Sequence, residues 1–216
     1  MKILASSYIS PSGAFLNEER KMRFQDANWL KEAYQLMALD YPKFYKMDNL
    51  SKMTVLATEW IKFTGLLNNL TDDALELLFA NTNASQHTDM KFLESYQQLG
   101  NPSPSLFVYT LPNILTGELA IRNKWFGENT FFVQPEFDAQ LFTDRLYHSS
   151  QKETTLCLCG WVDSKVNTKN ETELEECFLF LVSLNKTDSK NDRLLFPQTL
   201  KELLTNYRNH APVIEN

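Results

Sequence analysis

Short runs of β-branched and apolar residues alternate along this chain with longer stretches of helical period, and this alternation restricts the fold more than any other feature. Lys2 to Ile9 reads as a short buried strand, closed by the turn residues Ser10-Pro11-Ser12-Gly13. From Asn28 to Leu39, the residues Trp29, Leu30, Ala33, Leu36 and Met37 fall on one helix face, and Pro42 marks the end. Asn49 to Leu67 carries a broad apolar face, which implies deep burial. Thr71-Asp72-Asp73 is a break, after which periodicity leaves Ala74 to Ala80 open between helix and strand. A short helix is expected around Asp89 to Gln98. A long one follows from Ser105 to Asn123, kinked at Pro112, which lacks a backbone donor. Thr130 to Val133, Thr154 to Val162 and Cys177 to Leu184 read as strands, with a helix from Glu136 to His148 between the first two. Asp163 to Glu176 has the composition of a hairpin loop, and Pro197 to Arg208 that of an amphipathic helix. No internal repeat is present. The order predicts an α/β layered domain with a mixed sheet, antiparallel where the last two strands meet at its edge.

Two hundred and sixteen residues suffice for one sizeable core, so a single domain over 1–216 is the expectation. With 43% hydrophobic, 12% aromatic and 22% charged residues the chain is packed, not disordered. Its net charge of −6, with no dense run of Lys or Arg, argues against nucleic acid as a partner. Ser6 and Ser7 interrupt the only apolar stretch near the N-terminus, which is too short and polar for an export signal. No run of about 18 apolar residues occurs, so a membrane span is not expected. Cys157, Cys159 and Cys177 are then most simply reduced thiols of a cytoplasmic protein. The sequons at Asn49, Asn69, Asn83, Asn170 and Asn185 read as chance in an Asn-rich and Thr-rich chain.

The stretch from Leu111 to Val133, Leu-Pro-Asn-Ile-Leu-Thr-Gly-Glu-Leu-Ala-Ile-Arg-Asn-Lys-Trp-Phe-Gly-Glu-Asn-Thr-Phe-Phe-Val, resembles β-ketoacyl synthases at the helix that leads to their nucleophile strand. Asn113, Gly117, Ile121 and Gly127 stand where that family has its Asn, a small residue, an Ile and the Gly of a Gly-Pro turn. A small residue lets the helix lie close to the sheet, and Gly127 permits a tight turn into the strand. Lys2 to Gly13 resembles the family's opening strand with its Ile-Ser-Pro-x-Gly loop, and Tyr45 to Trp60 its Arg-Met helix. Leu156 to Val162 and Phe178 to Val182 are similar to the paired strands that finish its first half. The resemblance covers nearly the whole chain but only half of the family's fold. It implies a thiolase-like half fold: a central mixed five-stranded sheet with helices on both faces.

A complete member draws two histidines and a lysine from a second half, which this chain ends before reaching. His87, His148 and His210 sit at a loop, a helix end and the tail, none placed like the family's pair. The nucleophile is missing too: where the family continues into Ala-Cys-x-x-Gly, this chain reads Val133-Gln-Pro-Glu-Phe-Asp-Ala139. Counting from Gly127 puts Glu136 at the cysteine's place, whereas a shift of register puts Gln134 there. Chain-length-factor subunits, non-condensing relatives that pair with active synthases, carry glutamine near that place and end in Leu-Asp-Ala, to which Phe137-Asp138-Ala139 is similar.

Condensation needs a thiolate at a helix N-terminus, where backbone dipoles lower its pKa. A carboxylate at Glu136 gains the same stabilisation but accepts acyl groups poorly, and helix capping is its simpler role. Cys157 and Cys159, two apart on a strand, share a face as a metal pair does, but no further ligand is in view and burial among Leu156 and Leu158 is simpler. Trp29, Trp60, Trp125 and Trp161 read as core packing. Trp125-Phe126 leads into strand 130–133, apolar on both faces as a central or pairing strand is, and in this family that strand pairs with its twin across a dimer axis.

The resemblance implies an accessory subunit of fatty-acid or polyketide-type assembly, akin to short proteins of aryl polyene and flexirubin-like pigment pathways, with no cofactor. Its partners are then an acyl carrier protein, a complete synthase or a second copy. Carrier proteins are acidic, so docking one requires a local basic patch, for which Arg20, Lys21 and Arg23, or Arg122 and Lys124, are the candidates. The alternative is an enzyme that hydrolyses or decarboxylates acyl thioesters through the Glu136 region.

Overall fold

A computed structural model describes residues 1–70, 73–152, 154–164, 175–185 and 194–211. The break at 71–72, most of the loop expected between Asp163 and Glu176, and the sequon at Asn170 lie outside them. The elements in chain order are β1 (Lys2–Ser10), β2 (Gly13–Leu16), β3 (Glu19–Met22), α1 (Trp29–Leu36), a 3-10 turn (Pro42–Lys46), α2 (Asn49–Lys62), β4 (Leu75–Asn81), α3 (Gln86–Leu99), α4 (Pro104–Val108), α5 (Ile114–Asn123), β5 (Asn129–Val133), α6 (Ala139–Ser149), β6 (Leu156–Ser164), β7 (Glu175–Ser183) and α7 (Pro197–His210). No helix among the described residues is long and apolar enough to cross a membrane.

The sheet has seven strands in the order β3-β2-β1-β7-β6-β4-β5, not the five expected. The two extra strands come from residues 13–22, which lack an apolar pattern and form strands through tertiary pairing. After β1 the chain doubles back as β2, antiparallel, with Ser10 opposite Gly13. A Cβ on Gly13 would stand 2.2 Å from the Met22 carbonyl oxygen, so the β2–β3 approach requires glycine there. Asn17 and Glu18, both at positive φ, then turn the chain into β3. The antiparallel β6–β7 pair is central and not at an edge, because β1 adds antiparallel to β7, and β4 and then β5 add parallel to β6. Its strands also run further than the sequence indicates, with Asp163 paired to Glu176 and Ser164 to Glu175.

Alternation along the strands sorts side chains into two cores. Leu75, Leu77 and Phe79 of β4, Leu158 and Val162 of β6, and Leu179 and Leu181 of β7 face α1, α2 and α5. Leu78, Cys157, Cys159, Trp161, Phe178 and Phe180 face α6 and α7. Both faces of the central strands are therefore dry, as expected where helices cover a sheet on both sides. Asp48 caps α2 by accepting from the Ser51 amide at 3.0 Å, and α2 buries ten of its side chains against β1, β6 and β7. The expected single helix from Ser105 to Asn123 is two helices. Pro112 supplies no N–H and disfavours a helical Leu111, so α4 stops at Val108 and α5 restarts at Ile114. Likewise α3 begins at Gln86, which places His87 in a helix and not in a loop.

Candidate functional site

The end of β5 and the start of α6 form the place where this architecture brings a strand's last residue to a helix N-terminus. The Gln134 amide donates to the Asn81 carbonyl at 2.8 Å, extending the β4–β5 ladder by one bond. Pro135 and Glu136 follow on the exposed surface, and no hydrogen bond or ion pair holds Glu136 among the described residues. Phe137 turns inward against Phe142, Trp161 and Phe178, with ring centroids 5.6–5.9 Å away, and this anchor aims the next residue at the helix. The Asp138 carboxylate then accepts from the amides of Gln140 at 2.9 Å and Leu141 at 3.1 Å. The capping role expected of Glu136 belongs to Asp138, because burial of Phe137 fixes the register of the turn. The positive end of α6 thus carries a carboxylate of its own chain.

None of the three cysteines lies near this turn. Cys157 and Cys159 are fully buried on the α6–α7 side, their sulfurs 3.7 Å apart, and Cys177 is fully buried on the other side. Burial pushes the Cys159 and Cys177 thiols well above the usual thiol range, so neither is a nucleophile at neutral pH. His148 and His210 stand in the last turns of α6 and α7, and no group of three metal-ligating side chains occurs among the described residues. All four tryptophans are buried.

Asn113, Gly117 and Gly127 lie along α5 and the turn after it. Asn113 is exposed at the head of α5, where its carbonyl accepts from the Gly117 amide at 3.2 Å. The space a Gly117 side chain would enter is open, so close packing onto the sheet does not call for glycine there. Gly127 is required by close approach: a Cβ would stand 2.3 Å from the Leu75 carbonyl oxygen. It opens β5, and Gln134 follows the strand's other end.

The acids that the sequence left unremarked are all engaged. Asp163, at the end of β6, accepts from the Thr82 hydroxyl at 2.6 Å. Glu176 is fully buried and accepts from the Tyr8 hydroxyl at 3.0 Å and from both arms of Arg208, which ties α7 to the sheet. Glu175 accepts from the Trp29 indole and the Asn49 amide, each at 2.8 Å. Glu118 of α5 is buried between Lys43 at 2.7 Å and the Tyr109 hydroxyl at 3.0 Å. Each partner comes from a distant segment, so only the apolar setting of these acids could have signalled them. The small cavity beside Ser85, Thr88 and Ser164, about 10 Å³, holds about one water. A larger one, about 100 Å³, lies at the opposite end of β5 between Glu76, Glu128, Arg145, His148 and Lys152.

The candidate basic patches are partly engaged as well. Arg122 pairs with Glu59 at 3.1 Å and stacks on Tyr41, while Arg20 stacks on Phe15 and donates to main-chain carbonyls of Ser12 and His210. Strand β5, expected to be central, has no partner on its outer side among the described residues. Thr130, Phe131 and Phe132 are half-buried there, and Val133 is exposed.

No family model and no curated protein matches the chain by sequence. Solved structures do match by shape. An ishigamide ketosynthase/chain length factor superposes with a TM-score of 0.58 at 16% identity, over 88% of this chain and 63% of that one. A complex of the ketosynthase ApeO with its chain length factor ApeC, from Xenorhabdus doucetiae, matches with a TM-score of 0.57 at 14% identity, over 94% of this chain and 90% of that one. A type II polyketide synthase acyl-carrier protein in complex with its hexaketide-bound ketosynthase matches with a TM-score of 0.53 at 13% identity, over 84% and 62%. This chain therefore spans less than two thirds of the first of these, and nearly all of the matched chain in the second. Strand order, helix placement and these superpositions together give it the thiolase-like fold of a β-ketoacyl synthase's first half.

Proposed function

We propose that this chain is a non-condensing subunit of fatty-acid or polyketide-type assembly, of the aryl polyene kind, which pairs with a complete β-ketoacyl synthase through the open edge of β5. The observation that carries this is the turn from β5 into α6: the position facing the helix dipole is filled by Asp138, a capping carboxylate, and the thiols are sealed in the two cores. A condensing site needs a thiolate there and imidazoles opposite it. Support for the partner comes from the matched chain of nearly equal length, which belongs to a complex of a ketosynthase with its chain length factor. The unpaired edge of β5 offers main-chain donors and acceptors for a neighbouring strand. An acyl carrier protein reaches the pair through the synthase in this scheme, since Arg122 and Arg20 are occupied within the chain.

Two measurements test the proposal. Purified protein mixed with malonyl- and acyl-loaded carrier protein is expected to give no decarboxylation, condensation or hydrolysis above background, and Glu136→Ala to leave that blank unchanged. Turnover lost in Glu136→Ala would establish instead an enzyme working through Glu136. Co-expression with the complete synthases of the same genome is expected to yield a 1:1 complex with one of them.

A further inference from the structure

Helix α3 is inside out. Its buried positions are Thr88 and Ser95, seven residues apart on one face, while Met90 and Leu93 point to solvent from the other. Ser95 uses its hydroxyl locally, donating to the Phe92 carbonyl at 2.7 Å and accepting from the Ser103 amide. An amphipathic helix normally turns its apolar stripe inward, so the stripe here faces something outside the chain. Helix α4 continues the surface, joined by the Phe92–Phe107 ring contact at 5.5 Å. Met90, Leu93, Tyr96, Phe107, Val108 and Leu111 are each 45–59% exposed.

The surface is continuous with the edge of β5. Val133 pairs with Asn81, whose side-chain amide binds both main-chain groups of Ala84, and the next hydroxyl, Ser85, donates to the Thr110 carbonyl at 2.7 Å. Six large side chains at half exposure offer about 500 Å², already beyond what a monomer ordinarily shows. With β5 added, the area reaches the ~800 Å² per partner of a stable interface.

Resting on the pairing proposed above, we infer that the outer face of α3 and α4 is the main adhesive part of that interface, with Phe107 and Leu93 as its anchors and a complete β-ketoacyl synthase as its occupant. The edge of β5 sets the register of the two chains, and the helical face supplies most of the affinity. A second copy is the less favoured occupant, because two chains of net charge −6 repel on approach, and an acidic carrier protein is disfavoured for the same reason.

The test is native mass spectrometry and titration of the co-expressed complex with Leu93→Glu, Phe107→Glu and the control Glu94→Ala, each checked by circular dichroism for an unchanged fold. Wild type and Glu94→Ala are expected to bind the synthase equally, each glutamate variant to bind at least tenfold more weakly, and the double variant not at all. Equal binding by all variants would overturn the helical face while leaving the pairing intact. If wild-type protein binds no synthase from its own genome, the pairing itself fails. A wild-type homodimer that the glutamate variants dissolve would show that the occupant is a second copy and overturn the assignment made here.

Discussion

Gly127 and Gly117 separate two uses of glycine that look alike in a sequence. Gly127→Ala drives a methyl group into the Leu75 carbonyl and is expected to destabilise the chain by about 1–3 kcal/mol. Gly117→Ala meets open space inside a helix and is expected to raise stability by up to about 1 kcal/mol, both read from urea midpoints. The thiols give a second residue-scale prediction. Burial raises Cys159 and Cys177, so the folded chain holds protons that the unfolded chain releases above the ordinary thiol pKa of about 8.5. Their contribution to stability is full below that pH and falls as pH rises through it. Tyr8, raised by burial and by Glu176, adds to the decline above about 10, the usual tyrosine pKa. Melting temperature is therefore expected to fall from about pH 8.5 upward, with a shallower slope in Cys177→Ala, and native protein to resist thiol alkylation until unfolded. Burial of the cysteines was legible from Leu156 and Leu158 alternating with them. The engagement of Glu118 and Glu176 was not, because Lys43 and Arg208 reach them from remote parts of the chain.

Element boundaries follow the caps more closely than the apolar periodicity. Periodicity alone put the start of α6 at Glu136, whereas the side chain that holds the amides is Asp138. Asp138→Ala is expected to cost about 1 kcal/mol in thermal or urea unfolding, and Glu136→Ala to stay within about 0.5 kcal/mol. Helices with wide apolar faces, α2 above all, were legible nearly to the residue at their N-termini because burial and sequence pattern agree there. The β2–β3 hairpin was not: Glu19-Arg20-Lys21-Met22 has no apolar alternation, and its strand geometry comes from pairing with β2. Pro112 was legible as an interruption, but whether a proline kinks a helix or ends it depends on what the flanking turn packs against.

At the scale of the whole molecule, the layered α/β architecture was readable from element order, but the positions of strands within the sheet were not. Which strand lies at an edge is decided by pairings between segments far apart in sequence, and β5 became an edge because β4 takes β6 on its other side. Val133→Lys places a charge on that edge and is expected to leave folding within about 0.5 kcal/mol while weakening synthase pairing, as measured by titration. The same wide spacing governs how the chain is made. Strand β1 leaves the ribosome first, yet it pairs with β7, about 170 residues later. At about 5–20 residues per second it waits roughly ten to thirty seconds for that neighbour. Through this interval the β2–β3 hairpin shields only one side of β1, so the newborn protein passes through a stage with a bare apolar ribbon, and chaperone supply is expected to limit its yield in cells.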